Sequence, residues 1–169
     1  MSKHLRILVL HGPNINLFGR REPQIYGTVT LDQINERIHA LAKDLEVEVE
    51  IFQSNHEGAL LDQIHSHIDN VQGCVLNPGA LTQYSVGLYD AIKAMPFPVV
   101  EVHLSNLHQR EEWRRHSLIG QAAKATIQGL GWRSYTMALR ALVEILREAD
   151  TDRPPPLVDG MVSKTTPLT

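Results

Sequence analysis

The stretch RILVLHGPN, residues 6–14, decides the fold. Ile7, Leu8, Val9 and Leu10 form an apolar run without alternation, and a turn-forming Gly-Pro-Asn closes it. Such a run reads as a strand buried on both faces, the mark of a parallel sheet covered by helices. Outward from it the pattern repeats. Residues 30–44 (TLDQINERIHALAKD) carry a helical stripe, Leu31, Ile34, Ile38 and Leu41, with Thr30 as N-cap. Residues 46–53 (EVEVEIFQ) alternate as a strand with Val47, Val49 and Ile51 on one face, and residues 56–69 return to a helical pattern. Residues 74–76 and 99–102 are further apolar strands separated by a helix over 85–94, which Pro96 and Pro98 stop. Residues 125–129 supply a fifth strand and 133–148 the closing helix. The alternation implies α/β architecture with five parallel strands, right-handed crossovers and helices on both faces. Ligands of such sheets bind beyond the carboxyl ends of the strands. Polar residues cluster there, in HGPN, QSNHEG, NPGALTQYS and HLSNLHQREEWRR.

Composition narrows the function. The 169 residues read as a single catalytic domain over 1–149, followed by a Pro-rich tail, 150–169, that holds four of the nine prolines and reads as disordered. A formal net charge of −3 favours neither nucleic acid nor an anionic membrane. No apolar run approaches the roughly 20 residues of a membrane span. The N-terminal segment reads as a first strand rather than a signal peptide, so a cytoplasmic location is expected. The single cysteine, Cys74, excludes an internal disulfide and reads as a small buried hydrophobe.

The sequence has no G-x-G-x-x-G, Walker A loop, nucleophile elbow or H-E-x-x-H. Nine histidines raise the question of a metal, but their spacings do not demand one. His65 and His67 point to different helix faces and read as solvated; His11, His103 and His108 could converge, yet no ligand spacing requires it. A metal-free acid–base site fits better. Glu101 and His103 lie two apart on a strand, hence on one face. A carboxylate bonded to an imidazole fixes its tautomer and favours the protonated ring, as a general acid requires. Asn14, Asn77 and Asn106 each close a strand end and suggest a shared polar pocket. The glycine-bracketed GRREPQIYG, residues 19–27, reads either as a surface loop or as a lid carrying a tyrosine that must lose its proton.

These segments together carry a resemblance. ILVLHGPNINLFGRREPQIYG, NPGALTQYS and VVEVHLSNLHQREEWRRHS, with a following GLG, resemble the type II 3-dehydroquinate dehydratases over about residues 7–147. The resemblance implies a flavodoxin-like three-layer sandwich and the dehydration of 3-dehydroquinate to 3-dehydroshikimate without metal or cofactor. It implies that Tyr26 is the base, with Arg21 in the same lid and Arg114 near it. Asn14 would hold a water or the enolate oxygen, and His103, oriented by Glu101, would protonate the leaving hydroxyl. Asn77 and Arg114 would bind ring hydroxyls, and the Leu104 and Ser105 N–H groups the substrate carboxylate. Arg110 matches a further active-site arginine; its bland alternative is an ion pair with Glu22 or a neighbouring acid. The resemblance also implies a homododecamer, a tetramer of trimers.

Two positions depart from the family. His11 stands where it usually has asparagine, and Gln83 where it has a histidine that binds a substrate hydroxyl and pairs with an aspartate matching Asp90 of a neighbouring subunit. Gln83 could preserve the contact, His11 could fill part of the vacated space, or the chain could be a paralogue with altered substrate or reduced activity. A non-catalytic binding module is the remaining alternative, disfavoured by Tyr26, Arg21 and His103.

Overall fold

The computed structural model describes residues 4–150; the tail, with the disorder expected of it, lies outside the described residues from 151 onward. The elements run β1 (Arg6–His11), α1 (Pro23–Tyr26), α2 (Leu31–Asp44), β2 (Glu48–Gln53), α3 (Glu57–Ser66), β3 (Gly73–Asn77), α4 (Val86–Ala94), β4 (Val99–His103), β5 (Ala125–Gln128) and α5 (Arg133–Asp150). All five strands are parallel, in the order β2-β1-β3-β4-β5. That order is the flavodoxin-like one, with its switch point between β1 and β3.

Alternate residues of the three central strands, β1, β3 and β4, feed two cores. Ile7, Val9, Val75, Val100 and Val102 pack under α2 and α5. Leu8, Leu10, Cys74, Leu76 and Val99 pack under α3 and α4. Burial on both faces explains why β1 is apolar from Ile7 to Leu10. At the β2 edge the expected alternation holds from Glu48, because Glu46 takes a left-handed φ of 54° to turn the chain out of α2. Thr30 caps α2 as expected, in a reciprocal box: the Gln33 N–H donates to Thr30 Oγ1 at 3.2 Å and the Thr30 N–H to Gln33 Oε1 at 3.0 Å. Cys74 is fully buried, and burial pushes its thiol pKa far up, so it is an inert core residue.

One expectation for α3 needs correcting. The helix ends at Ser66, and His67 is buried rather than solvated. Its Nδ1 donates to the Gln63 carbonyl at 2.7 Å, and its Nε2 lies 3.0 Å from Glu50 Oε1 on β2. The ring thus ties the helix end to the edge strand. Among the described residues, no helix is long and apolar enough to cross a membrane.

Candidate active site

The loops after β1 and β3 interlock at the switch point. The Gly12 N–H donates to the Asn77 carbonyl at 2.8 Å. Gly79 has φ of +57°, and a Cβ there would stand 2.7 Å from the Pro13 carbonyl oxygen, so this junction accepts only glycine. One cleft opens over these loops and the end of β4. Asn14, Arg21, Tyr26, Asn77, Gln83, His103, Leu104, Ser105, Arg110 and Arg114 all line it. Of the residues to which the resemblance gives a role, two do not: Glu101 lies fully buried behind His103, and Asp90 is exposed on α4.

Tyr26 ends α1, the one-turn helix of the lid, with its ring 5.4 Å from that of Phe18. Two arginines address it. Arg110 Nη1 donates to the Tyr26 hydroxyl at 3.0 Å, and the Arg21 guanidinium lies 5.0 Å from the ring centre. Arg114 holds neither of these positions; it stacks on Trp113 at 4.0 Å, with its Nε 3.3 Å from Glu111 Oε2. The cation at the hydroxyl is therefore Arg110, not Arg114. The bland reading of Arg110 is true as well, because its Nε lies 3.2 Å from Glu111 Oε2, while Glu22 pairs with Arg21. Burial opposes the Arg110 charge, but Tyr26 and Glu111 outweigh it and hold its pKa above the ordinary guanidinium value.

The second wall of the cleft is an imidazole on a buried acid. His103 Nε2 stands 2.5 Å from Glu101 Oε1, as strand spacing requires. Ser117 Oγ donates to the same oxygen at 2.7 Å, and Thr126 Oγ1 to Oε2 at 3.2 Å. Neither hydroxyl was singled out from the sequence. Thr126 is the register partner of Glu101 on β5, which only strand pairing reveals. Bonding Nε2 to the acid leaves Nδ1 as the nitrogen available to the cleft.

The carboxylate sits in a slot that a glycine leaves open. A Cβ on Gly120 would lie 2.7 Å from Glu101 Oε2 and 3.2 Å from both Ser117 Oγ and Thr126 Oγ1. Gly120→Ala is thus expected to displace the acid and loosen His103. We expect kcat to fall roughly tenfold or more, with a stability loss of about 1–3 kcal/mol. Steady-state kinetics beside thermal melting check this, and an unchanged kcat would show slack around the acid.

Asn106 and the histidines depart from expectation. The Asn106 side chain accepts from the His108 N–H at 3.1 Å and caps a 3-10 turn, so only Asn14 and Asn77 join the cleft. His108 is exposed, and His11 lies on the opposite side of β1 from α3 and α4, so His11, His103 and His108 do not converge. Among the described residues, no group of three His, Cys, Asp or Glu is placed to hold a metal. Nor does His11 fill space beside Gln83. It is fully buried, with Nδ1 2.8 Å from the Tyr135 hydroxyl and Nε2 2.9 Å from Asn35 Oδ1. β1 runs one residue further than the apolar run, and alternation then aims residue 11 at α2 and α5.

Burial lowers the His11 pKa from 6.5 to about 4, against the opposing hydrogen bond with Asn35. Both partners are neutral, so nothing compensates a charge on the ring. The depressed folded-state value means the unfolded chain binds the extra proton first as pH falls. His11 therefore erodes stability between pH 6.5 and 4. Relative to a His11→Asn variant, the parent is expected to lose about 3 kcal/mol across that window. Denaturant melts of both proteins at several pH values check this; parallel curves would place the folded value near the unfolded one.

Known proteins share the sequence pattern and the fold of this chain. The family model "Dehydroquinase class II" matches residues 5–143. A Halothermothrix orenii protein named 3-dehydroquinate dehydratase is 50% identical over 143 residues, 85% of this chain and 97% of its own. One of the same name from Gloeothece citriformis is 52% identical over 146 residues, 86% of this chain and 96% of its own. The crystal structure of a type II dehydroquinase from Butyrivibrio crossotus aligns with a TM-score of 0.81 at 40% identity, over 82% of this chain and 97% of that one. With half its residues shared along almost the whole length of such proteins, the chain belongs to the class II dehydroquinase family.

Proposed function

We infer that the protein is a hydro-lyase that converts 3-dehydroquinate to 3-dehydroshikimate and water, with Tyr26 as base and His103 as acid. The observation that carries this reading is the Arg110–Tyr26 hydrogen bond of 3.0 Å, with Arg21 against the same ring. A free phenol ionises near pH 10, so forming a phenolate near neutrality costs about 4 kcal/mol. An arginine N–H on the hydroxyl and a second guanidinium against the ring put positive charge where the base would carry its negative one.

The chemistry follows from the groups present. The phenolate takes the proton next to the ketone, and the C–H electrons move into an enolate. Asn14, at the mouth of the cleft, holds a water or the enolate oxygen. As the enolate collapses, the carbon–oxygen bond to the β-hydroxyl breaks, and His103 gives that oxygen its proton so that it leaves as water. The N–H groups of Leu104 and Ser105 take the substrate carboxylate; Asn77, Gln83 and Arg114 take the ring hydroxyls. Every step uses groups of this chain, without metal or cofactor.

Gln83 has a defined role here. Its Nε2 donates to the Arg114 carbonyl at 3.2 Å, which fixes the amide and leaves Oε1 buried with no partner among the described residues. It therefore offers an acceptor to a substrate hydroxyl. The partner subunit's Asp90 belongs to the same region in a homododecamer built of trimers. Tyr84, just before α4, and Val86, its first residue, are exposed, as such an interface requires.

The test follows the ultraviolet absorbance of the conjugated enone as purified protein meets 3-dehydroquinate. Turnover is expected, and a Gln83→His variant is expected to change kcat/KM only a few-fold. Folded protein that makes no product would overturn the reading. A gain of several orders of magnitude in Gln83→His would favour a paralogue with a different substrate, the reading its orphaned acceptor also permits.

A further inference from the structure

Of the four polar strand ends, QSNHEG at the end of β2 adds no residue to the lining of the cleft. Its first and third residues, Gln53 and Asn55, reach instead for the loop that carries Asn14. β1 lies between β2 and β3, so the Gly12–Pro13–Asn14 turn at its end has a neighbour on each side. The Asn77 carbonyl and the close-packed Gly79 hold the turn from the β3 side. From the β2 side, the Asn14 N–H donates to Asn55 Oδ1 at 2.9 Å. Gln53 is the register partner of His11. Its Nε2 donates to the same Asn55 oxygen at 3.1 Å and to the Gly12 carbonyl at 3.3 Å.

These partners fix the direction of both amides. A backbone N–H only donates, so the Asn55 atom facing Asn14 is its oxygen. A backbone carbonyl only accepts, so the Gln53 atom on Gly12 is its nitrogen, whose two hydrogens serve the two acceptors. The backbone that this strap grips is out of the ordinary. Asn14 sits at φ 65° and ψ 2°, in the left-handed region. Asparagine tolerates that region better than most residues, but nothing in its own chemistry enforces it. A return of φ to the negative range would swing the Cα–Cβ bond to another side of the chain and take the carboxamide off the cleft wall.

We propose that Gln53 and Asn55 are positioning residues, a strap that holds Asn14 in the left-handed conformation from which its carboxamide meets the enolate oxygen or the water beside it. Neither residue lines the cleft, so the strap acts on the developing charge through Asn14 and not on substrate binding. The role of Asn14 rests on the dehydratase reading; the strap on its backbone does not.

The test compares Asn55→Ala with Asn55→Asp and crosses the former with Asn14→Gly. In the parent background, Asn55→Ala should lower kcat for 3-dehydroquinate roughly tenfold, with KM within about twofold. Asn55→Asp keeps an acceptor oxygen in the same place and should stay within about threefold of the parent kcat. Asn14→Gly deletes the carboxamide and accepts a positive φ without support. In that background Asn55→Ala should change kcat by less than about twofold. Equal falls in both backgrounds, a rise in KM with kcat unmoved, or an Asn55→Asp variant as slow as Asn55→Ala would overturn the strap. Gln53→Ala, which releases Asn55 and the Gly12 carbonyl together, repeats the cycle if Asn55→Ala does not fold. A crystal structure of Asn55→Ala keeps this inference apart from the dehydratase reading. A residue 14 that leaves the left-handed region, or splits between two conformations, supports the strap even if the parent proves inactive on 3-dehydroquinate. A backbone that stays in place there overturns it even if the parent is active.

Discussion

Tyr26→Phe is expected to lower kcat for 3-dehydroquinate by about a hundred- to ten-thousand-fold, the range for losing a positioned general base. Thermal stability should hardly change. The substitution deletes one oxygen from a half-buried side chain and keeps the ring that packs near Phe18 and under Arg21. Arg110 loses one acceptor but retains Ser105 Oγ at 3.3 Å and Glu111 at 3.2 Å, so its place in the cleft survives. No other tyrosine lines the cleft. Tyr135, hydrogen-bonded to His11, is fully buried, and burial drives its pKa far above the ordinary phenolic value. KM should stay within a few-fold, because the hydroxyl acts on the proton in flight more than on the bound substrate. Enone absorbance with parent and variant side by side checks this. Turnover retained by the variant would keep the dehydratase and remove Tyr26 from the chemistry.

The sheet was legible because burial on two faces leaves a mark in the chain. Leu8 and Val9 feed opposite cores, so neither position tolerates a polar residue, and the run at residues 7–10 follows. Glu101 was legible for the same reason in reverse: an acid amid apolar strand residues must have partners, and His103 two residues on is one of them. Loops carry no such periodicity. Arg110 and Arg114 are one helical turn apart, yet Arg110 reaches Tyr26 and Arg114 stacks on Trp113, because 3-10 turns over Leu107–Gln109 and Glu112–Arg114 re-aim the chain between them. Spacing alone could not decide between these arginines. The direction of His11 was recoverable, since counting alternation one residue past Leu10 places it with Val9. Asp90 illustrates a different limit. Its exposed helix position fits any surface acid, and only the geometry of neighbouring copies would give it a site.

Glu101→Gln is expected to reduce kcat by about a hundred- to a thousand-fold while leaving the fold nearly as stable. The shapes are almost identical, and the slot beside Gly120 admits either side chain. The hydrogen bonds can also survive. Oε1 takes the two closer contacts, His103 and Ser117, so the amide oxygen belongs there. The amide nitrogen then faces Thr126 Oγ1, a hydroxyl able to accept as readily as it donates. What disappears is the negative charge beside the imidazole. A neutral amide still orients the ring, but it sets no counter-charge behind the imidazole that hands its proton to the departing hydroxyl. The acid step should therefore slow while substrate binding persists. Glu101→Leu separates charge from satisfaction. It strands His103, Ser117 and Thr126 without their acceptor, so it should destabilise the fold by several kcal/mol as well as inactivate it. Kinetics and melting of the two variants together provide the check. If Glu101→Gln kept full kcat, the acid would be a structural anchor for His103 and its charge irrelevant to turnover.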